Sequence, residues 1–446
     1  MKIDIPEKAN YIMQTLAAHG FEAYAVGGCV RNALLDLTPH DWDICTNAKP
    51  RQLQQVFAGF HTHDFGLKHG TLAVTLDGET FEITTYRVDG VYADNRHPEQ
   101  VTFTDDLTLD LSRRDFTVNA MAYSDRAGLM DPFGGMQDLQ DNLLRCVGVP
   151  ENRFQEDALR ILRGLRFAAV YGFRVEAETA AAMHRCAHLL RNIAWERVRE
   201  ELLGMLCGAH VQPVLTAFRD ILAIVLPEIT SCFDFSQRTP HHCYDVWNHI
   251  VHAVAAIDSD PLLRMTMLLH DIGKPRACTV DADGRMHFKG HPQISADMAE
   301  KILQRLRCPS AFAQACVQLV VYHDVRFSGS KRQVKRVFAQ LGEDNLRRLF
   351  AVQRADIAAQ SDYHRAEKLA AVDLAEQQAR QIIAEGQCLH IKDLAINGSD
   401  LLRLGYPEGA VIGQTLRLLL DAVIDEKVDN NQQALLQLAK HLQNTF

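Results

Sequence analysis

The period of the hydrophobic pattern changes once along this chain, near Glu156, and that change does most to limit its fold. Before it, short runs alternate with the two-residue period of a half-buried strand: FEAYAVGG at 21–28, GTLAVTL at 70–76 and TFEITTYR at 80–87. Helix-period segments at 8–20 and 50–58 lie between them, and Asp77-Gly78 reads as a hairpin turn. From Glu156 onward, EDALRILRGLRFAAVYGF and nearly everything after it place apolar residues at helical spacing. The expected class is α+β, with a strand-and-helix head followed by a mostly helical remainder. With 446 residues the chain is too long for one core. We divide it into a head (1–145), a helical neck (146–210), a helical body (211–370) and a helical tail (371–446).

Within the head, GGCVRNALLDLTPHDWDIC (27–45) joins a glycine pair, a helical run and two carboxylates one residue apart. Read as a short strand, DWDIC puts Asp41 and Asp43 on one face. Carboxylates that close repel unless a cation stands between them, and a hard divalent ion such as Mg²⁺ takes oxygen ligands and grips phosphates as well. The glycine pair and the helix after it offer backbone N–H groups to a polyphosphate. Glu82, on TFEITTYR, could bring a third carboxylate from a neighbouring strand. A D-x-D alone is often only a solvated strand end. The order strand, Gly-Gly, helix, D-x-D, strand is far more specific.

Two further constellations stand outside this one. Asp157, Arg160, Arg163 and Arg166 recur at three-residue spacing and crowd one face of a helix, either as an ion-pair ladder with Glu156 or as a binding stripe. In the body, His249, His270-Asp271, His291, His323 and Asp356 recur at wide intervals. Imidazoles with carboxylates suit transition metals, and a bridging aspartate suits a pair of them. His323-Asp324 is a second His-Asp pair, which leaves the choice among the late ligands open.

VGGCVRNALL…HDWDI, LSRRDFTVNAMAY, DPFGG and EDALRILRGLRFA together resemble the bacterial class II CCA-adding tRNA nucleotidyltransferases, which share their head with poly(A) polymerases. HDIGK (270–274), with the histidines and aspartates around it, resembles the HD-domain phosphohydrolases. The first resemblance implies a polymerase-β-like palm that extends a tRNA 3′ end with CTP and ATP. Asp41 and Asp43 would hold Mg²⁺, with Glu82 as third carboxylate. Gly28 and Arg31 would meet the triphosphate, and Arg113, Arg114 and Asp115 the ribose and phosphates. Asp157 and Arg160 would read the incoming base, with Arg163 and Arg166 steering phosphates or holding that template in place. The chemistry fits, because cytosine and adenine both present an amino donor beside a ring-nitrogen acceptor, whereas guanine and uracil present a carbonyl to Asp157. The chain departs from the family at Asn32 and Asp36, where an Asp and a Gly are usual. The second resemblance implies a metal site built from His249, His270, Asp271, His291, His323 and Asp356.

The formal charge of −9 means that a nucleic-acid partner needs a local basic surface rather than a global field. Eleven cysteines, an odd number without a C-x-x-C pair or an evident leader, lead to the expectation of a reduced, cytoplasmic protein. No apolar run is long enough to span a membrane. Rival readings are a poly(A) polymerase, disfavoured for want of a long basic C-terminal arm, and a partial A-adding or CC-adding enzyme. A metal phosphohydrolase with a nucleotide-sensing head is a third. The stretch 87–103 resembles the flexible element of full and A-adding enzymes, against a pure CC-adder.

Overall fold

A computed structural model of the chain describes residues 2–64, 66–90 and 101–443. Most of the stretch compared above with a flexible element, 91–100, therefore lies outside the described residues. The chain forms two compact units, residues 1–227 and 228–446.

The first unit is built on a seven-stranded mixed sheet. Its strands are β1 (Ala23–Val26), β2 (Ile44–Thr46), β3 (His61–His63), β4 (Thr71–Leu76), β5 (Glu79–Thr85), and then β8 (Ala122–Ser124) and β9 (Gly128–Met130) after a small ribbon, β6 (Arg87–Asp89) with β7 (Val101–Phe103). The order across the sheet is β3-β4-β5-β2-β1-β8-β9. Only β2 and β5 run parallel, with Ile44 opposite Ile83, while the other neighbours are antiparallel. The Asp77-Gly78 turn joins β4 to β5 with both residues at positive φ, as the hairpin reading requires. Helices α1 (Glu7–Ala18), α2 (Gly28–Leu34), α3 (Pro50–Val56), α4 (Leu107–Ser112) and α5 (Gly135–Gln140) complete the head.

One expectation is corrected here. Asp41, Trp42 and Asp43 precede β2 rather than belonging to it. The extended pattern nevertheless persists, because the Val26 amide donates to the Asp43 carbonyl at 3.0 Å. Trp42 turns inward at 8% exposure, leaving the two carboxylates on the other side.

The neck is helical: α6 (Pro150–Glu156), α7 (Leu159–Tyr171), α8 (Ala177–Cys186), α9 (Trp195–Leu206), α10 (Val211–Ala217) and α11 (Arg219–Val225). These helices belong to the first unit, which ends at Pro227. A second correction concerns EDALRILRGLR, which is not one helix. The chain breaks at Asp157, whose backbone is extended (φ −139°, ψ 103°), and α7 starts two residues later. Asp157 causes the restart, since its Oδ1 accepts the Leu159 amide at 3.0 Å.

The second unit is almost wholly helical: α12 (Val246–Ala256), α13 (Pro261–Leu269), α14 (Lys274–Ala277), α15 (His291–Arg305), α16 (Ser310–Tyr322), α17 (Lys331–Ala358) and α18 (Arg365–Ala384), then α19 (Gly398–Arg403), α20 (Ala410–Ile424) and α21 (Gln432–Gln443). Asp245 and Asp260 cap α12 and α13 by accepting backbone amides. The polar 279–291 stretch holds a small antiparallel hairpin, with Thr279 opposite His287. The 370 boundary falls inside α18, and the tail has its own core around Leu401, Tyr406, Leu419 and Leu435. Arg332 and Arg336 of α17 grip Asp425, and Lys335 grips Glu426, tying the tail to the body. Among the described residues no helix is long and apolar enough to cross a membrane.

Candidate active site and candidate metal centre

Where β1 ends, Gly27 takes φ 82°, ψ −126° and starts α2. The backbone angle there calls for a glycine, and the Arg114 guanidinium lies close by, its Nη1 2.8 Å from where a Cβ would stand. Beside this turn lie the carboxylates. The β2–β5 pairing begins with Ile44 opposite Ile83, so Asp43 and Glu82 each stand one residue before it. Burial first, and then the negative charge of Asp41 and Glu82, push the Asp43 carboxyl up to about 6 against the pull of Arg114. The three anions are therefore close enough to repel. They do not, however, converge as a trio: among the described residues, the groups of three or more side chains with ligand atoms mutually within 4.8 Å are elsewhere.

The Arg113–Asp115 stretch divides its work. Arg113 pairs with Asp110 at 2.9 Å and, at 3.5 Å, with Asp89. Arg114 is held loosely, 3.8 Å from Asp110, with its Nε lacking a hydrogen-bond partner, and it faces the glycine turn. Asp115 points away from solvent at 7% exposure. It accepts from the Phe116 amide, Asn119 Nδ2 and Arg163 Nε at 2.8, 3.0 and 2.9 Å. Burial alone would raise this carboxyl, but Arg163, Asn119 and Arg160 outweigh it and hold it near 2.

On α7 the arginine stripe is paired throughout. Arg160 donates to Glu156 at 2.6 Å and to the Arg113 carbonyl at 3.0 Å. Arg163 takes Asp115, and Arg166 takes Glu201 at 2.6 Å. Asp157 is held from α9 by Arg197 at 3.0 Å. Sequence reasoning missed Arg197, Glu201, Asn119 and Tyr171. The run WERVREEL is amphipathic, but nothing local marks which of its charges face the neck.

Arg31 lies inside the first unit behind the glycine turn. It is 5% exposed, its Nη1 donates to Asn119 Oδ1, and its guanidinium lies between the rings of Phe167 and Tyr171, at 4.9 and 4.5 Å from their centroids.

In the second unit the six expected His and Asp residues do come together. His249, His270, Asp271 and Asp356 form one set, and Asp271, His291 and His323 the other. Asp271 joins them: its Oδ2 lies 3.1 Å from His249 and 3.2 Å from His270, and its Oδ1 3.1 Å from His291 and 3.5 Å from His323. Asp324, the alternative considered above, stays out at the surface with Arg326.

Met267, Val320 and Ala359 stand at the C-terminal ends of α13, α16 and α17, where backbone carbonyls lack intrahelical donors. The histidines use this. Their Nδ1 atoms are bonded to backbone oxygens: His249 to Ala359 (3.1 Å), His270 to Met267 (2.7 Å), His291 to Phe288 (2.8 Å) and His323 to Val320 (2.7 Å). That fixes the tautomer and turns every Nε2 inward, two pairs of them 3.2 Å apart. Gly273 permits the tight turn after Asp271, for a Cβ there would stand 2.6 Å from the Ser295 amide.

Neither oxygen of Asp271 has an aligned hydrogen bond, although Lys274 Nζ is 2.6 Å from Oδ2. Burial alone would lower His270, but Asp271 and Asp356 pull it up to about 10. The pocket demands positive charge. Its donor set, imidazole Nε2 plus carboxylate, fits a pair of metal ions.

A mixed sheet carrying paired carboxylates beside a glycine turn, backed by an arginine-bearing neck, defines a polymerase-β-like nucleotidyltransferase. The Poly A polymerase head domain family matches residues 23–145, the RNA and SrmB-binding site of polymerase A matches 172–233, and tRNA nucleotidyltransferase domain 2 matches 290–439. The CCA-adding enzyme of Enterococcus faecalis is 30% identical over 436 residues, covering 97% of this chain and 95% of its own. That of Levilactobacillus brevis is 34% identical over 432 residues, 96% of each. The Bacillus stearothermophilus CCA-adding enzyme, solved in complex with CTP, superposes with a TM-score of 0.73 at 25% identity over 98% of both chains. The chain belongs to the class II CCA-adding enzymes, and its activity is CCA addition to tRNA 3′ ends.

Proposed function

We propose that Asp41 and Asp43, with Glu82 beside them, hold the divalent metal of this reaction, Mg²⁺. The observation that carries this is the place of Asp43 just ahead of the β2–β5 pairing, where burial first, and then the charge of Asp41 and Glu82, lift its carboxyl to about 6. When bound, the cation lowers the pKa of the 3′-hydroxyl and takes charge on the leaving pyrophosphate. The rest falls to the chain. Gly28, at the start of α2, and the loosely tethered Arg114 receive the triphosphate, with Arg113 keeping Arg114 in place through Asp110. Asp157 and Arg160 read the Watson–Crick edge of CTP or ATP. Arg163 anchors α7 to the head through Asp115, and Arg166 anchors it to α9 through Glu201. The bond formed joins the tRNA 3′-oxygen to the α-phosphorus, and the bond broken releases pyrophosphate. The neck, body and tail hold the tRNA by shape and phosphate contacts. The test uses tRNA lacking its last three nucleotides, with CTP and ATP. Wild type restores CCA, and Asp43→Ala does not. Full turnover by Asp43→Ala would refute the assignment.

A second reading, additional to the first, is carried by the four inward Nε2 atoms around Asp271. We propose that His249, His270, Asp271 and Asp356 bind one transition metal and Asp271, His291 and His323 a second, as a phosphohydrolase centre. Purified protein should contain metal that Asp271→Ala lacks, and should hydrolyse p-nitrophenyl phosphate or its bis-ester with Mn²⁺, Ni²⁺ or Co²⁺. Metal-free wild type, inert with every added ion, would leave the HD fold a scaffold. The eleven unpaired cysteines support a reducing, cytoplasmic setting.

A further inference from the structure

We infer that Tyr171 and Asn32 are positioning residues for nucleotide addition: with Arg31 they brace the helix behind the glycine turn against the far end of the base-reading helix. The inference rests on the reading that this turn receives the triphosphate and that Asp157 and Arg160 read the base.

Arg31 is a buried cation, and among the described residues no carboxylate pairs with it directly. Its Nε and Nη2 donate to Asn32 Oδ1 at 3.1 and 2.9 Å, and Nη2 also donates to the Tyr171 hydroxyl at 2.7 Å. That hydroxyl in turn donates to Asn32 Oδ1 at 3.0 Å. On the other side Arg31 Nη1 donates to Asn119 Oδ1, and Asn119 Nδ2 passes the contact to Asp115 at 3.0 Å. Asp115 closes on Arg163 of α7. The result is a ring: α2 to Asn119, to Asp115, to Arg163, along α7 to Tyr171, and back to α2. Phe167 fills it, with Arg31, Arg163 and Arg166 against its ring at 4.9, 5.4 and 4.7 Å.

The ring has two attachments to α7, two turns apart, and one to the helix that follows the glycine turn. It therefore fixes both the distance and the rotation between the triphosphate end of the site and the base end. A correct base is useful only if it brings the α-phosphate to the carboxylates, and reaction rates fall steeply with small misplacements. Asn32 is also where this chain departs from its family, which usually has Asp. An amide oxygen accepts the same donors without adding a charge beside Arg31.

The test compares Tyr171→Phe, Asn32→Leu and Asn32→Asp with wild type and with Asp157→Ala. Single-turnover rates are measured for CTP and UTP on tRNA lacking CCA, together with tRNA KM and Tm. Tyr171→Phe keeps the ring and loses only the hydroxyl. It should slow CTP addition about tenfold, slow UTP addition less, and leave tRNA KM and Tm unchanged. Asn32→Leu should do the same, and the double variant should be no worse than either single, because both break one circuit. Asn32→Asp, which keeps an acceptor oxygen, should recover most of the rate. An unchanged CTP rate in Tyr171→Phe would overturn the inference. So would CTP and UTP rates that fall in parallel with a lowered Tm, which would mark a purely structural role. If Asp157→Ala leaves the CTP:UTP ratio at the wild-type value, the base-reading premise falls and the inference with it.

Discussion

Replacing Asp157 separates two jobs that one carboxylate performs. One oxygen caps α7 through the Leu159 amide, and the other is held by Arg197 of α9. Asp157→Ala removes the cap, which costs about 0.5–2 kcal/mol of stability. It also deletes the acceptor for the base amino group. Against Asp157 the carbonyl of uracil would be left as an unpaired acceptor, a penalty of ~1–3 kcal/mol, or roughly 5- to 150-fold in relative kcat/KM. Asp157→Asn keeps an acceptor oxygen for the cap and presents an amino group that a carbonyl can use. Asp157→Asn keeps the cap but loses the ion pair with Arg197, so we expect a smaller fall in Tm than in Asp157→Ala, while the CTP:UTP preference collapses in both. The assay is kcat/KM for CTP and UTP on tRNA lacking CCA, beside thermal melts of each variant. A CTP:UTP ratio that stays constant in Asp157→Asn while both rates fall would show that Asp157 only caps the helix.

Asp41→Ala should abolish nucleotide addition with tRNA affinity within about twofold of wild type in filter binding, because a metal ligand acts on the reaction rather than on RNA docking. Arg197→Ala frees the Asp157 side chain and should lower CTP:UTP discrimination about fivefold without abolishing addition, measured by the same competition. Asp115 has a folded pKa near 2, below its unfolded value near 3.8, so its stabilisation is full above about pH 4 and is lost as pH falls toward 2. Denaturant melts from pH 5 to pH 2.5 should show wild type losing stability more steeply than Asp115→Asn. Replacing His270 and Asp271 with Ala should remove metal from the second unit, seen by elemental analysis, and leave CCA addition intact.

The sequence revealed the strand pairings around Asp77-Gly78, the helical body and the six HD residues, because each rests on local periodicity or on a motif with fixed chemistry. It misread two boundaries for physical reasons. Among the described residues the D-x-D meets β1 through the Asp43 carbonyl, too little to count as strand. EDALRILRGLR has unbroken helical spacing, yet Asp157 prefers to cap, and capping breaks the helix one turn early. What stayed hidden was pairing between distant residues. Nothing near Arg31 announces Tyr171, 140 positions away, and nothing near Asp115 announces Arg163, 48 away. Those contacts set which charges face the nucleotide and which hold the neck. The departure at Asn32 was visible, but its consequence needed the partner on α7.

The most direct test of the account is the end sequence that the enzyme writes when it is free to choose. Purified protein is given tRNA lacking its last three nucleotides, Mg²⁺ and all four nucleoside triphosphates together, and the 3′ ends are sequenced. The account predicts ends that read CCA and stop there, with G and U excluded by Asp157 and Arg160. Runs of A, ends that stop at CC, or mixed bases at the added positions would contradict it.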